Sequence, residues 1–367
     1  MSVTALQSGV AAAVKQAQTR HRRRRALALA ALALCLGLSF LAASGIGAVT
    51  IRPGEIVAIL LSWLGIAGTA DFTTQQEVVF AAVRLPRTVL AALTGAGLAA
   101  SGAALQGLFR NPLADPGLIG VSSGAALAAV ATIVAGAPLA AMLGIAPFLL
   151  MPLTAFGGGL AVTYVVYRIG MRSGLADTPT MLLAGVAINA IALACIGFFT
   201  FVSDDQQLRE LSLWMLGSLG GVTWSTLVPT LPFLVLPLIA LPWLARALNA
   251  LLLGHKDAQY LGFDPAAITR AAVILAALSV GASVALTGIV AFVGLLVPHL
   301  VRLLLGPDHR VLLPAAMLLG ASLMLVTDLI ARMVVLPAEL PIGVVTSIVG
   351  GPFFLWLLIR RRASGGW

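Results

Sequence analysis

The side chains that could do chemistry are few and scattered along the chain. Asp328 and Arg332 stand four residues apart with the acid first, a spacing that predicts either a local ion pair on one helix face or an arginine that binds a partner. The doublet Asp204–Asp205 lacks the further acidic residues that a metal-dependent membrane enzyme requires. His299 is more typical of a hydrogen-bonded structural histidine than of a metal ligand. We therefore expect no catalytic residue and no metal site.

Two kinds of energy-coupling site are also missing from the sequence. It contains no glycine-rich loop that ends in Gly-Lys-Ser/Thr, so we expect no ATP binding or hydrolysis by this chain. The apolar segments carry no chain of acidic residues, which a proton-coupled secondary transporter would need. A membrane-embedded enzyme and a proton-coupled transporter are therefore distant alternatives.

The composition indicates a protein that spans a membrane several times. Of 367 residues, 60% are hydrophobic and 10% are charged, with a mean hydropathy of +1.05. A soluble globule needs far more charge on its surface. The net charge of +9 is concentrated in Arg20–Arg25 and Arg360–Arg362, which favours anchoring at the cytoplasmic side of a membrane over binding to nucleic acid. Cys35 and Cys195 lie in apolar runs and predict no disulfide framework.

Apolar runs separated by polar or Pro/Gly residues predict ten membrane spans, with both termini in the cytoplasm. The alternative of a cleaved signal peptide over residues 1–49 is weak, because the apolar run exceeds the usual core of about 7–15 residues. Residues 1–25 then form a basic cytoplasmic tail, 26–362 the transmembrane domain and 363–367 a C-terminal tail. The predicted spans lie near residues 26–49, 86–108, 118–135, 147–168, 181–202, 226–244, 266–287, 289–305, 311–335 and 341–359.

Several segments predict close helix contacts or broken helices. Small residues recur four apart in Gly95–Gly107, which favours close approach of helix backbones in a membrane. The sixth span carries four prolines, and we expect its helix to be kinked. The runs Asn111–Gly117 and Val297–His299 interrupt helices at positions where broken backbone is tolerated only inside protein or beside a cavity. They indicate a pathway through the membrane.

Residues 246–265 contain two short apolar stretches separated by Gly254, and they predict two short helices on the cytoplasmic surface. Such a pair is typical of a docking element, and an ordinary interfacial loop is the alternative. The predicted topology also places five arginines at the outer side. This is against the positive-inside rule, by which Lys and Arg concentrate in cytoplasmic loops, and we call these residues charge-rule exceptions. These exceptions are Arg52, Arg84, Arg87, Arg209 and Arg332.

Five longer motifs stand along the chain, at Arg84–Thr88, Ser101–Ala126, Leu182–Asn189, Gly294–Pro314 and Ala338–Leu358. Together they resemble the permeases of ABC importers for iron-siderophores, haem and vitamin B12. The likeness extends from about residue 40 to 362, and only the basic N-terminal tail lies outside it. It implies an all-α fold of the type II importer class, embedded in the bacterial inner membrane. It also implies a homodimer that works with two cytoplasmic ATPase subunits, which bind ATP and magnesium, and with a periplasmic binding protein.

The resemblance also implies roles for individual residues. Arginines at the outer face would bind acidic residues of the binding protein, and this would explain the charge-rule exceptions at Arg84, Arg87 and Arg332. Residues 248–262 would be the coupling helices that contact the ATPase, with matching positions Gly254, Ala258, Leu261 and Gly262.

The cytoplasmic gate would be formed by Asn111, Leu113, Thr178 and Thr180, although Pro179 stands where a small hydroxyl residue can occur in this family. The fifth and tenth spans would line the translocation path at the dimer axis.

Haem is the predicted substrate, because the stretches 105–124 and 208–224 resemble haem permeases most. A path with almost no charge would also pass a ferric siderophore or cobalamin, so both remain alternatives. We expect membrane lipid around the chain, no nucleic-acid partner and no cofactor held by the chain itself.

Overall fold

The computed structural model describes residues 3–66, 72–144, 146–172, 175–335 and 337–363, and it confirms the all-α fold class. A short antiparallel pair of strands, β1 (Met171–Arg172) and β2 (Leu175–Ala176), lies between the sixth and seventh helices. The α-helices of the described ranges are α1 (Val3–Gly45), α2 (Pro53–Trp63), α3 (Thr74–Val78), α4 (Leu85–Leu108), α5 (Val121–Leu143), α6 (Pro147–Gly170), α7 (Thr178–Val202), α8 (Asp205–Leu216), α9 (Trp224–Ala240), α10 (Ala245–Leu253), α11 (His255–Tyr260), α12 (Pro265–Thr287), α13 (Val293–Leu305), α14 (His309–Met333) and α15 (Ile342–Ala363).

Seven of the predicted spans coincide with helical segments that are long and apolar enough to cross a membrane. The predicted third, eighth and tenth spans correspond to shorter apolar helices, at Val121–Gly136, Val293–Leu305 and Ile342–Leu357. The eighth is short because its first residues are not helical: Phe292 adopts a left-handed backbone with φ 67°, and α13 begins after it. The seven long segments are Arg22–Gly45, Thr74–Leu108, Phe148–Gly170, Thr178–Val202, Trp224–Leu253, Pro265–Thr287 and His309–Met333.

The N-terminal third of the chain differs from the predicted boundaries. Helix α1 begins at Val3 instead of near residue 26, so the basic cluster lies within the helix. Helix α2 was assigned to no span, and its 11 residues extend only about 16 Å, about half of the hydrocarbon thickness. Residues 1–2 of the predicted basic tail and 364–367 of the predicted C-terminal tail lie outside the described residues.

Helix α4 forms the centre of the molecule, and small residues let its neighbours approach closely. A Cβ atom placed on Gly95 would lie 2.2 Å from the carbonyl oxygen of Gly320 in α14, and one on Gly102 would lie 1.9 Å from that of Gly294 in α13. Neither position has room for a side chain. The close helix contact predicted from the small residues of Gly95–Gly107 is therefore confirmed.

The proline-rich sixth span ends its α-helix early. Three prolines lie inside α9, and the chain then forms a 3₁₀ turn over Leu241–Leu244 before α10 continues. Pro242, the second residue of that turn, cannot donate a helical hydrogen bond, which agrees with the end of the regular helix at Ala240.

The middle of α1 and the start of α14 are joined through one carboxylate. Asp308 caps α14, accepts a 2.8 Å hydrogen bond from the Asn249 amide and lies 3.3 Å from Arg25 Nη1. Partial burial opposes ionisation of Asp308, but the Asn249 amide, the Arg310 backbone N–H and the charge of Arg25 together hold its pKa below the ordinary value of 3.8. Arg25 of the basic cluster thus has a defined partner in the folded protein.

Candidate docking, gate and coupling sites

Arg84 is an internal structural residue in this structure. A segment of π-helix over Val79–Arg84 places its side chain under the turn that follows α1. Its guanidinium donates to the carbonyl oxygens of Ser44 at 2.8 Å and Gly45 at 2.7 Å, and also to that of Val49. Arg84 is only 5% exposed. It satisfies carbonyl groups that the end of a helix leaves without partners.

Asp328 lies between two arginines on neighbouring helices. Its carboxylate is 2.8 Å from Arg87 Nη2 and 3.1 Å from Arg332 Nε, and its side chain is 2% exposed. Arg332 also donates to the carbonyl oxygen of Ala43 at 2.9 Å, while Arg87 extends to Glu339 at 2.9 Å. The interpretation of Asp328 and Arg332 as a local ion pair is confirmed.

We call Arg84, Arg87, Asp328, Arg332 and Glu339 the outer charge cluster. Its internal partners account for three of the charge-rule exceptions without any partner protein. Arg84 and Arg332 are buried and are not available to an acidic surface in this structure. Arg87 differs, because its partner Glu339 is 43% exposed. The role of these arginines in docking stays a prediction.

Sequence reasoning missed Glu339 as a member of this cluster. It lies in the connection between α14 and α15, and its partner Arg87 is 252 residues away at the start of α4. An acidic residue beside an outer-face arginine would have been a usable signal only if the two segments were known to be neighbours.

The segment that contains Asn111 and Leu113 is shaped by local hydrogen bonds. The Asn111 side chain accepts from the backbone N–H of Leu113 at 2.9 Å, and its carbonyl accepts from that of Ala114 at 3.0 Å. Arg110, just before it, has a left-handed backbone with φ 47°. These turns end α4 and direct the chain to a 3₁₀ turn over Pro116–Ile119.

The second gate segment is the first turn of α7. Asp177 precedes this helix, and the hydroxyl of Thr180 donates to its carboxylate. Pro179 occupies the second helical position, where no helical hydrogen bond would be made by its nitrogen. The departure from the family pattern at Pro179 is thus compatible with a regular helix start.

The two short cytoplasmic helices predicted from residues 246–265 are present as α10 and α11. Gly254 separates them with φ 139°, and Gly262 ends the second with φ 83°, backbone conformations that suit glycine. We call residues 245–262 the coupling segment. Ala258 is fully buried and holds the segment on the protein body, whereas Leu261 is exposed. Tyr260, which was not among the positions predicted to contact the ATPase, is 88% exposed.

One cavity at the inner surface brings the gate and the coupling segment together. It has a volume of about 680 Å³, and its walls include Arg110, Thr178, Pro179, Gly254 and His255. Partial burial and the charge of Arg110 lower the pKa of His255 below its ordinary value of 6.5. Movement of the coupling segment would therefore change the space directly beneath both gate segments. Asn111 and Leu113 follow this wall in the chain, and Thr180 lies one residue beyond Pro179.

The helices predicted to line the path, α7 and α15, present many apolar side chains to the outside of the chain. These surfaces can meet lipid or a second copy of the protein. Asn189 in α7 is held on the other side, where it donates to the carbonyl of Gly117 at 3.3 Å. The exposed apolar residues include Leu183, Val186, Ile191, Leu193, Phe198 and Phe201 in α7 and Ile348, Val349 and Leu355 in α15.

Comparison with known proteins supports this architecture. Residues 32–360 match the model of the FecCD transport family. The chain is 48% identical over 281 residues to the hemin transport system permease HmuU of Yersinia pestis, covering 76% of this chain and 83% of the relative. It is 42% identical over 286 residues to the cobalamin import permease BtuC of Halobacterium salinarum, covering 78% and 74%.

A solved structure has the same fold. An inward-facing metal-chelate type ABC transporter matches with a TM-score of 0.77 and 30% identity, over 90% of this chain and 98% of the other. The long apolar helices agree with this match. The chain therefore belongs to the FecCD transport family and is a type II ABC importer permease subunit, a multi-pass protein of the bacterial inner membrane that works with ATPase and binding-protein partners.

Proposed function

We propose that this permease carries haem across the inner membrane. The observation that supports haem is the 48% identity to a hemin permease, compared with 42% and 40% to two cobalamin permeases over similar lengths. Vitamin B12 is the second candidate, supported by the names of those relatives, and ferric siderophore is a third from the sequence motifs. The cargo is a substrate, and no resident cofactor is assigned to the chain.

We propose a homodimer in which α7 and α15 of each copy border the path. Their exposed apolar side chains support this arrangement, since a path with little charge would let an apolar planar molecule pass without tight binding. No residue of this chain performs covalent chemistry. The energy comes from ATP in the two partner subunits.

The proposed mechanism is alternating access driven from the inner surface. ATP binding and hydrolysis would move the coupling segment through its exposed side chains, chiefly Tyr260 and Leu261. Because Gly254 and Thr178 line the same cavity, this movement would reshape the space below the first turn of α7. The gate then opens to one side of the membrane at a time.

At the outer surface we propose that the binding protein competes for Arg87. An acidic residue of that protein would replace Glu339, whose side chain is the exposed member of the ion pair. Glu339→Gln should strengthen docking and Arg87→Gln should weaken it and reduce its salt dependence. Arg209→Gln, an exposed outer-side arginine outside the cluster, is the matched control. Pull-down affinity that is equal in the Arg87 and Arg209 variants would refute this role.

The substrate is tested by uptake into proteoliposomes that contain this chain and its ATPase. ATP is enclosed, and binding protein loaded with haem, ferric siderophore or cobalamin is added outside. ATP-dependent accumulation of haem alone is the expected result. Uptake of a different ligand alone would remove haem and keep the importer class, and uptake without ATP would contradict coupling to an ATPase.

A further inference from the structure

An apolar groove lies between α6 and α12 near the inner membrane surface. It has a volume of about 290 Å³. Helix α12 starts directly after the coupling segment, so its first turns are at the cytoplasmic end, and α6 runs antiparallel to it and ends at Gly170. Tyr167 and Arg270 therefore lie at the inner end of the groove, and Leu160 and Leu278 lie deeper in the membrane.

The dimensions of the groove fit one lipid chain placed along the helices. Arg270 and Leu278 are eight residues apart on α12, which corresponds to about 12 Å along the helix axis. Between them the wall is formed by side chains such as Ile274, which is 51% exposed. Tyr164 and Tyr167 supply the amphipathic rings that are common at membrane interfaces.

Arg270 is the cation at the headgroup end of the groove. It is exposed, and within the described ranges no carboxylate forms an ion pair with it. Arg25, at the same membrane surface, has Asp308 as its partner. An arginine that is left with a free charge beside an apolar groove matches a ligand with one anionic end and one apolar end.

Thr163 provides a second polar contact inside the groove. Its hydroxyl oxygen is buried and has no hydrogen-bond partner among the described residues, and the residue is 3% exposed. It lies four residues, or about 6 Å, deeper than Tyr167 along α6. The headgroup layer of one leaflet is about 5–7 Å thick, so this hydroxyl lies at the depth of the ester carbonyls of a lipid.

We propose that this groove binds an anionic phospholipid of the inner leaflet. The phosphate pairs with Arg270, the hydroxyl of Thr163 donates to an ester carbonyl, and one acyl chain lies along Ile274 towards Leu278. Arg270 is the one charged side chain among the described residues that line the groove, and this favours an anionic lipid over a neutral one. The site lies on the outside of the chain, and one of its walls is α12, the helix that follows the coupling segment. It does not depend on which substrate is carried.

Native mass spectrometry of the full-length protein tests this proposal. The protein is released from nanodiscs that contain equal amounts of phosphatidylglycerol and phosphatidylcholine, and retained lipids are counted. Arg270→Gln should lower retained phosphatidylglycerol about fivefold, which corresponds to ~1 kcal/mol for one basic residue near an anionic surface. Arg270→Lys should retain most of the lipid. The control Arg310→Gln, an exposed inner-surface arginine outside the groove, should have no effect.

A groove-filling variant separates a defined site from general attraction of anionic lipid to a basic surface. Ile274→Trp keeps Arg270 and should still release the lipid. Equal losses in the Arg270→Gln and Arg310→Gln variants would overturn the proposal, as would full retention in Ile274→Trp. Loss of a dimer with unchanged lipid would assign the groove to a second copy of the chain and also overturn it. If Ile274→Trp does not fold, the difference in retained phosphatidylglycerol between Arg270→Gln and Arg310→Gln decides whether the groove is a defined lipid site.

Discussion

Replacing Asp328 by asparagine should destabilise the protein strongly although it changes one functional group. The carboxylate is 2% exposed and lies within 3.1 Å of both Arg87 and Arg332, whose side chains are 11% and 10% exposed. Without it, two poorly solvated guanidinium groups would face each other across a neutral amide. Removal of one partner from a buried ion pair costs about 3–5 kcal/mol.

The structure reduces this cost to the lower end of that range. Arg87 keeps Glu339 at 2.9 Å, and Arg332 keeps the carbonyl of Ala43 at 2.9 Å. We therefore expect Asp328→Asn to lower the free energy of unfolding by about 3 kcal/mol. Glu339→Gln is the control, since it breaks the other ion pair of Arg87. Its carboxylate is 43% exposed, and solvent screening limits its contribution to about 1 kcal/mol or less.

The measurement is unfolding of the purified protein by SDS titration in mixed micelles, followed by circular dichroism and tryptophan fluorescence. Equal stabilities of Asp328→Asn and Glu339→Gln would refute the reasoning, because it would mean that burial does not distinguish the two ion pairs. An unchanged stability of Asp328→Asn together with stronger docking of the binding protein would show instead that the cluster exists to hold its arginines for the partner.

Three further predictions concern other parts of the chain. Leu261→Asp should reduce ATPase pull-down at least tenfold without loss of stability, because the residue is exposed on the coupling segment; equal pull-down would contradict that contact. The depressed pKa of Asp308 means that its contacts stabilise the fold above about pH 4 and are lost as pH falls through the lower folded value. Asp308→Asn should therefore flatten the acid side of an unfolding profile below about pH 4, and an unchanged slope would argue against it. Gly95→Ala should cost about 1–3 kcal/mol, since its Cβ would lie 2.2 Å from a backbone oxygen, whereas Gly157→Ala, with nothing within 4 Å, should be tolerated in the same SDS assay.

Much of the fold could be predicted from local sequence. The long apolar segments predicted seven of the ten spans, because a bilayer imposes length and composition on each helix separately. The helical segments Thr74–Leu108 and Trp224–Leu253 nevertheless extend 12 and 9 residues beyond the predicted bounds. The glycine that separates the two coupling helices was visible for the same local reason: its φ of 139° is unfavourable for other residues. The shorter α13 was not predicted, since the left-handed backbone at Phe292 has no marker in the residue types around it.

The partners of the outer arginines could not be predicted in the same way. Asp328 and Arg332 are four residues apart on one helix, so their ion pair was among the alternatives considered from sequence. Arg84 contacts carbonyls about 40 residues earlier in the chain, and Glu339 is 252 residues from Arg87. The sequence does not show which helix ends are neighbours. An arginine at the outer side can therefore be explained equally well by an ion pair with a partner protein or by one within the protein itself.

The sequence by itself determined the membrane environment, the helical class and the family, since each depends on composition, helix length or motifs within short segments. Only the tertiary structure decided which charges are used internally. It also placed the residues of the predicted gate beside those of the predicted coupling helices in one cavity, and it left Arg270 without an acidic partner among the described residues at the end of an apolar groove. These properties depend on distances between helices that are far apart in the chain, and packing of the whole bundle sets those distances.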